Sequence, residues 1–202
     1  MLRIYSILFA LLLLCHPATA SESNHDDSLD HFRAEAKADT TSIEENLRLG
    51  KLFLDKDIKR AMRYFTNVIY SGKKLESHQI AVAYESIGII FIKQGEQSKA
   101  FIMLDSALKR YQELGNKKGI ASVISNKGNA QYSMGNYEKS LEYFLESYKM
   151  REELNDSFGL AKISNNLALI YMSQHEYDKA LEWYQNGISI LTKLGGISEQ
   201  VA

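Results

Sequence analysis

The chain has 202 residues, with 24 lysine and arginine side chains, 25 aspartate and glutamate side chains, and a formal net charge of −1. This near-balance, without a long basic run, excludes the electrostatic footprint of a nucleic-acid-binding protein, so no nucleic acid is expected among the partners. Apolar residues make up 45% of the chain, which is enough for a packed core and argues against a disordered protein.

Residues 1–20 have the layout of a secretory signal peptide. A basic residue precedes an apolar run over residues 4–14, and Ala18-Thr19-Ala20 forms a small-x-small cleavage site. The run is too short for a membrane-spanning helix, which needs roughly twenty apolar residues. We therefore predict export to the periplasm or the exterior, cleavage near Ala20, and a mature form outside the membrane. Cys15 is the only cysteine, so the mature form would contain no thiol.

A polar leader and a helical region follow. Residues 21–40 are polar and acidic at their start, with a short helix as an open alternative further on. His25 and His31 could hold a metal weakly, but nothing in this segment would orient them, so no metal site is predicted. From Phe32 to Leu194 apolar residues recur every three or four positions, and no window alternates as a half-buried strand does. The sequence therefore predicts an all-α protein.

A forty-residue period runs through the helical region. The aligned sets are Ala81, Ala121, Ala161; Gly88, Gly128, Ala168; Ala100, Ser140, Ala180; and Leu104, Phe144, Tyr184. We predict four repeats, at residues 41–80 (divergent), 81–120, 121–160 and 161–200. Each resolves into two helices, as in the third repeat, where Gly135-Asn136 separates helices predicted at residues 117–134 and 137–154.

The recurring small residues have a mechanical explanation. A glycine or alanine where the two helices of a repeat cross lets their backbones approach, while Phe65, Phe144 or Tyr184 fills the neighbouring space. A bulky residue at Gly128 is therefore predicted to overpack the crossing. The same aromatic residues could be taken for a ligand cage, but their position in the repeat favours core packing.

This pattern resembles the tetratricopeptide repeat, most completely at Leu167-Ala168, Tyr171, Tyr177, Ala180 and Tyr184. The resemblance implies a right-handed α-solenoid of antiparallel helix pairs. Two departures are a period of forty rather than thirty-four and the absence of proline after Pro17. They point to longer helices, as in kinesin light chains, bacterial peptide-sensing regulators, exported bacterial members and the sensor regions of some histidine kinases.

The resemblance also implies a ligand-binding surface, because the first helix of each repeat lines the concave groove in this family. The candidate ligands of a peptide main chain are Asn126, Asn129, Asn165 and Asn166, since an amide offers both a donor and an acceptor. Neighbouring side chains that would set selectivity are Lys93, Lys162, Tyr132, Lys127 and Met172. The alternative is that the asparagines cap helices, cross-link adjacent helices or face water. Glu85 and Ser86 interrupt the asparagine pattern in the second repeat.

We therefore predict a non-catalytic scaffold for a protein or peptide segment. No phosphate-binding loop, Gly-x-Ser-x-Gly or His-Glu-x-x-His motif is present, so neither an enzyme nor a cofactor is expected. An open alternative is the extracytoplasmic sensor portion of a longer kinase or transcription regulator that continues beyond Ala202. The last repeat shows no polar cap, which suggests end-to-end self-association through that repeat.

Overall fold

The computed structural model of the chain describes residues 42–70 and 77–200, except for the side chains of residues 77 and 196–200. This part contains eight α-helices and no strand. They are α1 (Ile43–Phe53), α2 (Ile58–Tyr70), α3 (Ser77–Gln94), α4 (Gln97–Glu113), α5 (Lys117–Ser133), α6 (Tyr137–Glu153), α7 (Ser157–Ser173) and α8 (Tyr177–Gln200). The predicted all-α fold is confirmed, and α5 and α6 match their predicted spans to within one residue.

The helices end at residues that tolerate a left-handed backbone. Gly95, Gly115 and Gly135 have φ values of 75°, 61° and 76°, and Asn155 and His175 have φ values of 51° and 62°. These five positions are spaced evenly along the chain, one after each helix from α3 to α7. Glycine is favoured there because it has no Cβ atom to clash with the backbone, and asparagine is tolerated because its short polar side chain can form local hydrogen bonds.

Side-chain caps begin several helices. Asn116 accepts a hydrogen bond from the Gly119 N–H at 2.9 Å, and Asp156 accepts one from the Gly159 N–H at 3.2 Å. Ser42 caps α1 through the Glu45 N–H, but the Glu45 carboxylate pairs with the nearby Arg48. Ser42 and Glu45 therefore form one of the two reciprocal hydrogen bonds of a capping box.

The helices stack as four pairs, α1–α2, α3–α4, α5–α6 and α7–α8. The second helix of each pair also packs on the first helix of the next, and the backbones of α1, α3 and α5 approach one another in turn. Because the first helices lie side by side, they form the inner layer of the stack and the second helices form the outer layer. The predicted repeat units at residues 81, 121 and 161 start about one turn inside α3, α5 and α7.

The crossings at Gly50 and Gly128, in the first and third pairs, are as close as the small residues suggested. A Cβ atom placed on Gly128 would lie 2.6 Å from Cε1 of Phe144, and one on Gly50 would lie 2.6 Å from Cε1 of Phe65. Phe65 and Phe144 are fully buried, whereas Tyr184 in the last pair is only partly buried. The interpretation of Phe65 and Phe144 as core residues is confirmed.

Several predictions fall outside the described residues. The signal peptide with its cleavage site near Ala20, Cys15, and the leader with His25 and His31 all belong to this part of the chain. Among the helices that the structure does describe, none combines the length and apolar character required to cross a membrane.

Candidate functional site

The inner layer carries a network of polar side chains that crosses three helices. Asn126 on α5 donates from Nδ2 to Oε1 of Glu85 on α3 at 2.9 Å, and its Oδ1 accepts a weaker bond from Asn129 at 3.4 Å. Asn129 in turn accepts a hydrogen bond from Nδ2 of Asn166 on α7 at 3.3 Å. We call Glu85, Asn126, Asn129 and Asn166 the inner ladder.

Glu85 is the most highly connected member of the inner ladder. Besides Asn126, its carboxylate accepts hydrogen bonds from Oγ of Ser122 and from the phenol of Tyr111, the latter at 2.9 Å. Burial, together with the neighbouring Glu85 carboxylate, raises the pKa of Tyr111 well above its usual value. The phenol therefore stays protonated at neutral pH and remains a donor to Glu85.

The inner ladder cross-links adjacent helices, which is one of the alternatives left open for the asparagines. Asn126 is 7% exposed, and Asn129 and Asn166 are partly buried. Tyr132 forms a parallel link, because its hydroxyl is 2.8 Å from Oγ of Ser173 on α7. The binding role predicted for Asn126, Asn129, Asn166 and Tyr132 stays a prediction. A ligand that binds to these side chains would have to share or displace their hydrogen bonds.

Two lysines that were considered for selectivity are paired with acidic residues. Lys93, at the end of α3, is paired with Asp55 in the turn between α1 and α2. Lys127 pairs with Asp105 on α4, and its side chain is only 13% exposed. The aliphatic stem of Lys127 is thus covered while its ammonium group reaches outward, as expected of a lysine at a core position. Lys127 points toward the outer layer, not into the groove.

The inner face of α7 differs from the rest of this layer. Lys162 and Asn165 are exposed, and within the described part of the chain neither side chain has a hydrogen bond or ion pair. Leu169 and Met172 follow on the same face, with 39% and 44% of their surface exposed. We call Lys162, Asn165, Leu169 and Met172 the open face of α7.

The open face combines three kinds of contact. Lys162 can pair with a carboxylate, Asn165 can donate to and accept from a peptide unit, and Leu169 and Met172 can pack against an apolar side chain. Among the described residues, no group of three or more His, Cys, Asp and Glu side chains is arranged to hold a metal ion. The open face itself offers a cation, an amide and two apolar side chains, which are groups suited to non-covalent recognition.

Sequence reasoning missed the partners of the inner ladder. Glu85 was taken as a break in the asparagine pattern, and Ser122 and Tyr111 were not considered. A signal was present, because the hydrogen-bonded pairs Glu85–Ser122 and Asn129–Asn166 share a sequence separation of 37 residues. Glu85–Asn126 and Tyr132–Ser173 share a separation of 41 residues. Polar pairs at these separations mark neighbouring turns of adjacent inner helices.

Stacked helix pairs with a polar inner layer define the chain as an α-solenoid repeat protein. Residues 119–193 match the tetratricopeptide repeat family, and solved structures of the same architecture superimpose on most of the chain. The match to the tetratricopeptide repeat thus covers the third repeat and most of the fourth, while the solenoid architecture extends beyond them. No curated protein sequence matches it significantly.

Three solved structures illustrate the shared architecture. BtubC (BKLC) from P. vanneervenii has a TM-score of 0.62 at 19% identity, over 87% of this chain and 75% of its own. A Rap protein complexed with competence and sporulation factor has a TM-score of 0.67 at 26% identity, over 85% of this chain and 50% of its own. MamA has a TM-score of 0.54 at 19% identity, over 88% of this chain and 94% of its own. This chain thus spans about half the length of the Rap protein, and its likeness to BtubC and MamA shows the fold alone.

Proposed function

We propose that the chain is a non-catalytic scaffold that binds a protein or peptide segment in its concave groove and also associates with a second copy of itself. The tetratricopeptide architecture supports the first part, as does the Rap protein, a solved neighbour that is complexed with competence and sporulation factor. The observation that carries the groove proposal is the open face of α7. It presents exposed polar and apolar side chains. At the equivalent positions of the preceding inner helix, most side chains are hydrogen-bonded to neighbouring inner helices.

The bound segment is expected to be extended, with an acidic group near an apolar side chain. Asn165 would hold a peptide unit through its amide, and Lys162 would pair with the acidic group. Leu169 and Met172 would receive the apolar side chain, since methionine adapts its shape to different partners. Affinity from main-chain contacts and selectivity from side chains are the usual division in peptide recognition.

Lys162→Glu is expected to weaken capture of a partner by about tenfold or more, because it places a carboxylate opposite the acidic group of the ligand. The measurement is a pull-down from the source cells, followed by titration of the identified partner against each variant. Lys149→Glu is the matched control, since Lys149 is an exposed lysine on the outer helix α6 and the charge change is identical.

A second variant tests the groove proposal at an exposed residue that has no intramolecular hydrogen bond. Asn165→Ala should reduce affinity without altering helicity, because Asn165 has no intramolecular bond among the described residues. Equal capture by the wild type, Lys162→Glu and Asn165→Ala would place the binding surface elsewhere on the molecule.

The proposed site of action is outside the cytoplasm. The proposal is supported by the composition of residues 1–20, with their apolar run and the Ala18-Thr19-Ala20 site. Mass spectrometry of the protein recovered from source cells should find Ser21 at the N-terminus. A mature protein that retained residues 1–20 would contradict cleavage.

A further inference from the structure

The first helix pair carries a group of stacked basic and aromatic side chains near its turn. Cζ of Arg60 lies 5.3 Å from the ring centroid of Phe53, and Cζ of Arg63 lies 5.5 Å from that of Tyr64. The Phe53 and Tyr64 rings stack on each other, with their centroids 5.8 Å apart and 18° between their planes. An arginine that stacks on an aromatic ring keeps the N–H groups at its edge for an oxyanion.

The positive charge around this stack exceeds the negative charge. Residues 51–63 contain five basic side chains and two acidic ones. Both acidic side chains are already engaged in ion pairs, one with Arg60 and the other with Lys93 on α3. Lys56 and Lys59 are exposed, and neither has an ion pair within the described ranges of the chain. We call Phe53, Lys56, Lys59, Arg60, Arg63 and Tyr64 the basic face.

Arg63 has hydrogen-bonding capacity that the described residues do not use. Its Nε is shielded from solvent and has no hydrogen-bond partner among them, although buried donors are normally bonded. Lys59 lies one turn earlier on the same side of α2, and like charges at positions i and i+4 destabilise a helix. Carboxylates placed beside Lys59 and Arg63 would form charge-assisted hydrogen bonds and neutralise both. The basic face is therefore suited to a segment that contains several carboxylates.

The chain itself contains such a segment ahead of its first described helix. Residues 22–30 include four acidic side chains and no lysine or arginine. We call residues 22–30 the acidic segment. A single exposed ion pair contributes little to binding, so docking on an exposed surface depends on several pairs that form together. The four carboxylates of the acidic segment meet this requirement.

The connection between the acidic segment and α1 is long enough for this contact. Residues 31–41 join the acidic segment to Ser42, the residue before α1. Eleven residues span about 16 Å as a helix and at most about 36 Å when extended. α1 also has 11 residues, and α2 turns back along it after a short turn. The start of α2 thus lies about one helix length from Ser42, within reach of the connection.

We infer that the acidic segment docks on the basic face of its own chain, where its carboxylates pair with Lys59 and Arg63. The inference goes beyond the proposed peptide binding, because the basic face and the open face of α7 have no residue in common. A tethered segment binds at a high effective concentration, so it outcompetes acidic segments of other proteins at this surface. The docked segment would leave Lys162 in the groove as the cation available to an acidic partner.

Carbodiimide cross-linking tests the inference on the intact chain, because it joins a carboxylate to a lysine amine where the two are in contact. Peptide mass spectrometry of the monomeric fraction, taken at low protein concentration, identifies the joined residues. Cross-links from the acidic segment to Lys59 are expected at least about fivefold more often than cross-links to Lys149, an exposed lysine on α6. High salt should remove this difference, since it screens exposed charges.

Arg63→Glu tests whether the basic face directs the contact. The guanidinium group does not take part in this cross-linking reaction, so the variant leaves the chemistry at Lys59 intact. The Lys59 yield is expected to fall at least about fivefold, because a carboxylate then repels the acidic segment. Lys109→Glu is the matched control, since it makes the same charge change at an exposed position of α4. Arg63→Gln, which removes the charge alone, should give a smaller loss with unchanged helicity.

Three results would contradict the inference. Equal cross-link yields at Lys59 and Lys149 in the wild type would overturn the docking. The same Lys59 yield in Arg63→Glu and Lys109→Glu would show that the basic face does not hold the acidic segment. Cross-links to Lys59 that join two chains, without any inside one chain, would overturn the intramolecular contact.

Discussion

Gly128→Val is expected to lower the free energy of unfolding by about 2–3 kcal/mol, the upper part of the range for overpacked cores. The new Cβ atom would lie 2.6 Å from Cε1 and 2.7 Å from Cδ1 of Phe144, which is 1% exposed and therefore enclosed by other residues. The helices cannot separate freely either, because Ser140 on α6 donates a hydrogen bond from Oγ to the Gly128 carbonyl at 2.8 Å. Urea titration followed by circular dichroism measures the loss.

Two further variants identify overpacking as the cause of the Gly128→Val loss. Lys118→Val places the same residue at an exposed position of α5 and should change stability by less than about 0.5 kcal/mol. Phe144→Leu combined with Gly128→Val should lose less than the sum of the single changes, because the smaller side chain makes room for the valine. A Gly128→Val protein as stable as Lys118→Val would show that the crossing is looser than its geometry indicates.

The fold could be predicted from the sequence because its signal is repeated. Each copy of the forty-residue pattern places a small residue opposite a large one, as at Gly128 and Phe144, and chance rarely repeats such a pair in register. The close approach of the two helices could be predicted from the same pairing. Glycine destabilises the interior of a helix, so its presence there indicates that another helix packs against it too closely for a Cβ atom. The clash distance at Gly128 bears this out.

The bonding of the candidate site could not be predicted in the same way. A side chain on one inner helix chooses its partner on the next by the angle and offset at which the helices stack, and the period alone does not give either. Lys127 shows the difficulty, because it was considered as a groove lysine that would set selectivity. The structure instead pairs it with Asp105 on the preceding outer helix. Asn126, Asn129 and Asn166 likewise have intramolecular partners that only the stacking geometry reveals.

Glu85→Ala is expected to lower the free energy of unfolding by about 2 kcal/mol, because it removes three hydrogen bonds to a charged acceptor. Tyr111, which is 2% exposed, would lose the acceptor for its hydroxyl, and Asn126 would lose the partner that joins α5 to α3. The partial exposure of Glu85 allows water to replace some of these bonds, which keeps the expected loss below that of a fully buried carboxylate. The measurement is again a urea titration.

Glu85→Gln distinguishes lost bonding from lost charge. A glutamine amide keeps one oxygen for Ser122 and Asn126 and can donate to the Tyr111 oxygen, so its loss should be less than half of that for Glu85→Ala. Glu142→Ala, at an exposed position of α6, controls for removal of a helical glutamate and should be close to neutral. If Glu85→Ala were as stable as Glu142→Ala, the inner ladder would contribute little to stacking, and its polar residues would be better explained as ligands for a bound segment.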